Sequence, residues 1–112
     1  MDRKVKIRIT VDESPIFGPG KANLLDAIRE EGSISAGARK IGMSYRRAWM
    51  LIDSINKNAK EKIIETFPGG RGGGGAYITN AGKKLLATYR NMENKSSKAI
   101  EKEKLLLYTF FK

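Results

Sequence analysis

The sequence predicts a helix-rich α+β domain with one small antiparallel sheet. Three observations carry this: a period-two apolar run near the N-terminus, three helical stretches punctuated by glycines and capping residues, and two short apolar runs flanking the glycine-rich stretch FPGGRGGGGAY at 67–77. With 112 residues the chain suits one core and is too short for two.

Val5, Ile7, Ile9 and Val11 alternate with Lys4, Lys6, Arg8 and Thr10, the pattern of a half-buried strand. Pro15, Gly18, Pro19 and Gly20 end that strand in a turn, and a helix is expected to start near Lys21. Leu24, Leu25 and Ile28 form its inner face, and Gly32 stops it. Ser33 can cap a second, short helix in which Ile34, Ala38 and Ile41 recur at i, i+4 and i+7. Gly42 ends it, and Ser44 can cap a third helix with the apolar stripe Ala48, Leu51, Ile52 and Ile55. The runs KIIETF (62–67) and AYIT (76–79) form a hairpin whose long tip is the glycine stretch. Thr79 or Asn80 caps a last helix through Leu85, Leu86, Tyr89 and Met92, with a continuation past Ala99.

Two helices about a tight glycine turn have the outline of a helix-turn-helix, an outline any small bundle shares. A hairpin following them makes it a winged helix-turn-helix, with residues 1–90 as the DNA-binding domain. Residues 91–112 then extend the last helix into an apolar tail, a dimerisation element.

Charge agrees with that reading. Lys and Arg total 22 against 12 Asp and Glu, a formal net charge of +10, which favours a polyanionic partner. The absence of Cys and His removes thiol nucleophiles, Ser-His triads and Cys/His metal sites. Charge interrupts the N-terminal apolar run, unlike a signal peptide, and LLLYTFF at 105–111 is far short of the roughly 20 residues a membrane helix needs. A cytoplasmic, nucleoid-associated protein with no membrane partner is expected. Nucleotide binding fits poorly: neither Gly75-Ala76-Tyr77 nor Gly20-Lys21-Ala22 completes a Walker pattern, and a G-x-G-x-x-G match at Gly70, Gly72 and Gly75 precedes a strand where a helix is required.

Candidate contacts follow from these placements. In the hairpin tip, Gly72 and Gly73 offer bare backbone N–H groups to phosphate, while Arg71 enters a minor groove or pairs with a phosphate. Ser44, Tyr45, Arg46, Arg47 and Trp49 cluster at the start of the third helix, where a recognition helix meets base edges. Arg46 and Arg47 cannot point the same way, so one is expected at bases and the other at the backbone. Trp49 is expected to be partly buried, bracing its helix against the first strand or the hairpin. Ser33 and Ser35 open the second helix, whose free N–H groups suit a phosphate as well as a cap. A lone RGG at 71–73 would also suit RNA. Leu105, Leu106, Tyr108 and Phe110 crowd the tail, and with Leu85, Tyr89 and Met92 they are the expected dimerisation residues, unless the tail folds back on its own core.

The string GSISAGARKIGMSYRRAWMLIDSIN (32–56), followed by PGGRGGGGAYITNAG (68–82), resembles the DNA-binding domain of the ModE-type molybdate-responsive transcription regulators. Those domains are similar in outline to LysR-type winged helix-turn-helix domains. The resemblance runs from about Phe17 to Tyr89. It implies that Ser44, Tyr45, Arg46 and Trp49 lie on the recognition helix, that Arg71 sits in the wing, and that the protein dimerises on duplex DNA. Two positions depart from the pattern: Gly37 stands where Ala is usual, and Met50 where a polar residue is. Members that sense molybdate carry a separate C-terminal oxyanion-binding domain for which residues 1–112 leave no room, so no cofactor is expected. The expected function is a sequence-specific, homodimeric regulator without catalytic activity; the alternative is an abundant chromatin protein that binds duplex DNA with little sequence preference.

Overall fold

The computed structural model describes residues 4–70 and 73–112. Its elements run β1 (Ile9–Val11), β2 (Ser14–Phe17), α1 (Pro19–Glu31), α2 (Ile34–Lys40), α3 (Tyr45–Asn58), β3 (Ile64–Gly70), β4 (Gly73–Ile78), α4 (Asn80–Ala99) and α5 (Glu101–Tyr108). The result is a small α+β protein, with five helices and two separate two-stranded antiparallel sheets among the described residues. No helix among them is long and apolar enough to cross a membrane.

One sheet was expected and two are present. The second arises from the segment read as a strand-ending turn: β2 runs through Pro15, which faces Thr10 of β1 beside a register shift between Ile9 and Thr10. In a two-stranded sheet both strands are edges, so a residue without an N–H is tolerated there. Asp12 and Glu13 make the connection at φ 49° and 69°, the positive values of a tight two-residue hairpin loop. The alternation of burial does extend back through Ile7 and Val5, but strand pairing begins only at Ile9.

α1 starts two residues before the expected Lys21, with Pro19 in its first turn, where a helix has no use for the missing donor. It ends on Gly32 at φ 80°, whose N–H reaches Ile28 O at 2.8 Å. Ser33 caps α2 by accepting from Ala36 N at 3.1 Å, and Ser44 caps α3 by accepting from Arg47 N at 3.1 Å. Between them the chain turns through Gly42 at φ 70°, and Met43 N returns to Ala38 O. This turn carries Ile41, expected on the buried stripe of α2, to the surface.

Leu24, Leu25 and Ile28 of α1 are fully buried. They pack with Ala38 of α2, Ala48, Ile52 and Ile55 of α3, Ile64, Ala76 and Ile78 of the second hairpin, and Leu86 and Tyr89 of α4. Truncating any one of the three α1 residues to Ala would cost about 2–5 kcal/mol. Phe17 meets Tyr89 edge to face at 5.0 Å, and the Tyr89 hydroxyl donates to Ile7 O at 2.6 Å, which ties the N-terminal segment to α4. Tyr89, expected in a dimer contact, is thus a core residue; its ring serves the fold.

The final helix does not continue unbroken. It ends at Ala99, Ile100 breaks it, and α5 follows with no buried residue. Arg90 anchors the near half of α4 to α1, donating to Asp26 Oδ2 at 2.6 Å and Asn23 Oδ1 at 3.1 Å, and within α4 to Glu93 Oε1 at 2.8 Å. Partial burial, the largest single influence, disfavours the charged guanidinium, but the Asp26 and Glu93 carboxylates together outweigh it and hold its pKa above the usual range.

Candidate nucleic-acid interface

Helix α3 owes its orientation to its composition. Its buried positions Ala48, Ile52 and Ile55 lie on one face. At 100° per residue the opposite face carries Arg46, Met50, Asp53 and Lys57, all exposed. Tyr45 and Trp49 then occupy one flank, and Arg47, Leu51 and Ser54 the other. Arg46 and Arg47 therefore diverge as expected, Arg46 onto the outward ridge and Arg47 onto a flank.

On the Tyr45 flank a cleft of about 610 Å³ opens between the N-terminal turns of α2 and α3 and the β3–β4 hairpin. Ser33, Ser35, Tyr45 and Trp49 line it, so residues from two helices selected by sequence meet in one place. Tyr45 and Trp49 stack edge to face at 6.3 Å and stay 55% and 39% exposed. Trp49 faces the hairpin side, beside Thr66, Phe67 and Pro68, rather than the first strand. Arg39 also lines the cleft and donates to Ser35 Oγ at 3.1 Å. None of the lining residues is acidic.

The hairpin is fixed to the helices by polar contacts at its base. Asn56 of α3 accepts from Ile63 N (2.9 Å) and Ile64 N (3.2 Å) and donates to Ile64 O (3.0 Å). Ala76 N donates to Gly32 O at 2.9 Å, so β4 hangs on the α1–α2 turn. Thr79 caps α4 through Gly82 N while its hydroxyl donates to Lys62 O.

The glycine stretch has a different form from the long tip expected. β3 continues to Gly70 and β4 begins at Gly73, paired with each other across a register shift. Phe67 pairs with Gly75 and its ring lies over that residue: a Cβ on Gly75 would fall 2.1 Å from the ring. Part of the run is glycine because an aromatic ring needs the space. Arg71 and Gly72 lie outside the described residues; Gly73 is the first residue of β4.

Arg39 and Phe67 were not singled out in the sequence. The spacing of Arg39 from Ser35, i and i+4 on one helix, is the signal that pairs them; Phe67 carried none, since its cross-strand partner is a glycine. The expected dimerisation residues are scattered. Leu105, Leu106 and Phe110 are well exposed, Met92 is marginally so, Tyr108 is half-buried, and Leu85 packs against the core.

No family model matches the chain. It is 43% identical over 77 residues to the molybdenum-pterin-binding protein MopB of Rhodobacter capsulatus, covering 69% of this chain and 28% of that one. The molybdenum-pterin-binding protein MopA of the same organism is 37% identical over 87 residues, 78% of this chain and 33% of its own. The DNA-binding transcriptional dual regulator ModE of Escherichia coli strain K12 is 32% identical over 101 residues, 90% of this chain and 38% of its own. The chain spans about a third of the length of the curated relatives it matches. Their names are those of regulators and binding proteins, not of enzymes.

Proposed function

Taking as premise that the chain is a relative of the ModE and Mop proteins along most of its own length, we propose that it is a homodimeric, sequence-specific DNA-binding regulator of transcription. In this reading the fold is a winged helix-turn-helix, α3 enters the major groove, and the β3–β4 hairpin lies on the adjacent backbone or minor groove. One observation supports it most. The exposed ridge of α3 begins with Arg46, beside a cleft free of acid that joins α2, α3 and the hairpin.

Each group then has a task its chemistry suits. Arg46 takes a bidentate hold on a guanine, and Tyr45 and Ser44 bond to phosphate. The α2 N-terminus with Ser33, Ser35 and Arg39 receives a backbone phosphate, since its N–H end and the guanidinium both favour an anion. Arg71, with Gly72 and Gly73, adds a contact from the hairpin.

A second reading draws on the names of MopA and MopB, a small heteroaromatic ligand held by this chain. The observation in its favour is the aromatic lining of the same cleft by Tyr45, Trp49 and Phe67.

The test is selection from a pool of random duplexes at near-physiological salt. An enriched inverted repeat is expected, and Arg46→Ala should relax it at one position per half-site, a loss of about 1–3 kcal/mol there. Retention with no enriched sequence and a steep salt dependence would replace this reading with that of a chromatin protein binding duplex DNA with little sequence preference. Failure to retain duplex, with a saturable quench of Trp49 fluorescence by a pterin, would favour the small ligand.

A further inference from the structure

A second cleft, about 720 Å³, opens on the other flank of α3, toward the first turn of α1 and the β1–β2 hairpin. Lys6, Arg8, Lys21 and Arg47 all line it, and no acidic residue does. The start of α1 lines it too: Gly18 provides no side-chain cap and the first turn holds no carboxylate, so the positive end of that helix is left unneutralised. Lys21 is held in place, its Nζ donating to Ile16 O at 2.9 Å and Ser54 Oγ at 3.4 Å. Burial lowers its pKa. Lys6, Arg8 and Arg47 have no ion pair or side-chain hydrogen bond among the described residues.

Four cations and a helix N-terminus around one opening repel each other, and an anion relieves that repulsion. The position of the cleft identifies which anion. A helix with its side chains, about 10–12 Å across, fills a major groove about 12 Å wide, so phosphates rim it on both flanks. The hairpin β3–β4 attends one flank of α3; this cleft attends the other.

We infer that the Lys6–Arg8–Arg47 cleft seats backbone phosphates of the duplex whose bases α3 reads, on the groove edge opposite the β3–β4 hairpin. The inference rests on the proposed function and extends the interface to the N-terminal segment and α1, which lie outside the helix-turn-helix and its wing.

The experiment measures binding of one selected duplex from about 50 to 200 mM salt by the wild type, the double variant Lys6→Gln/Arg8→Gln and the charge-preserving Arg8→Lys. Both replaced side chains are exposed, and retained thermal unfolding establishes that the double variant folds. Each lost phosphate contact lowers the slope of log K against log salt by roughly 0.9, so a fall of roughly one to two is expected. The enriched sequence should be unchanged, and Arg8→Lys should keep most of the slope. Duplex binding with the same slope in wild type and double variant overturns this inference and leaves the proposed function standing. No duplex binding by the wild type overturns both. Inorganic phosphate, titrated at constant ionic strength against the amide resonances of Gly20 and Lys21, separates the sources: saturable shifts lost in the double variant, with an unchanged duplex slope, assign the cleft to a free oxyanion and overturn the backbone source.

Discussion

Gly37 sits where α2 crosses α1, and a Cβ built on it would lie 2.9 Å from both the nitrogen and Cγ1 of Ile28. Alanine would raise the helix propensity of α2 by about 1 kcal/mol. Against that, the Ile28 nitrogen belongs to the α1 backbone and cannot turn aside, and overpacking of this kind costs about 1–3 kcal/mol. Gly37→Ala is therefore expected to lower the urea midpoint with an unchanged slope; a higher midpoint would mean the two helices separate easily. The departure from the ModE-type pattern at this position is thus tied to the approach of α1 and α2, not only to helix propensity. Tyr89 gives a second residue-level expectation. Burial first, and the Glu93 carboxylate next, raise the pKa of its phenol. A folded value above the unfolded one means that its stabilisation is complete below about pH 10, the ordinary tyrosine value, and lost as pH climbs through the folded value. Tyr89→Phe removes the bond to Ile7 O and should cost about 1 kcal/mol at neutral pH. It should also flatten the alkaline fall in stability followed by circular dichroism, and an equally steep fall would assign it to other groups.

Asn56 decides where the β3–β4 hairpin stands relative to α3, because three hydrogen bonds from one side chain hold Ile63 and Ile64, where the chain enters β3. Asn56→Ala leaves the Ile63 and Ile64 amides without that acceptor, and a loss of about 1–3 kcal/mol is expected. Faster hydrogen exchange at those two amides, with helix content kept, is the measurement; unchanged exchange would mean the hairpin is held from Gly32 and Thr79 alone. Nothing in the sequence marks Asn56, one of five polar residues in the stretch from Asp53 to Asn58. The caps, by contrast, were legible: Ser33, Ser44 and Thr79 each bond an N–H three residues on, and such local contacts leave a local signature. β2 was hidden by Pro15, which signals a turn whenever the strand is taken for an interior one. The candidate site was legible in the residues of α2 and α3, which lie close in sequence. Arg8 and Arg47 were each visible, Arg8 as the polar half of an alternation, but only the packing of the N-terminal segment beside α3 makes them neighbours.

At the scale of the molecule, the chain is elongated and its C-terminal end, α5 and the residues after it, is exposed. The radius of gyration is 16.2 Å and the extents are 55 × 30 × 23 Å, where a compact chain of this length would have a radius of about 13 Å. Its 8293 Å² of accessible surface exceeds the roughly 6,200 Å² of a globular monomer of this mass. Part of that surface is apolar: Leu105, Leu106, Leu107, Phe110 and Phe111 are each more than half exposed. A second copy that covers this band would give the two-fold arrangement the proposed function requires, with recognition helices about 34–36 Å apart or a multiple of that on a pseudo-palindromic site. Deleting residues 105–112 should therefore halve the mass measured by sedimentation and weaken duplex binding; Leu106→Glu/Phe110→Glu in the full chain should do the same. Salt separates this contact from the DNA contact. Apolar association persists as salt is raised, whereas phosphate contacts weaken steeply, so at about 0.5 M salt the protein should remain dimeric while releasing its duplex. A monomer at all salt concentrations would leave the two clefts flanking α3 to act within a single chain, and a dimer indifferent to both changes would place the dimer contact elsewhere than α5.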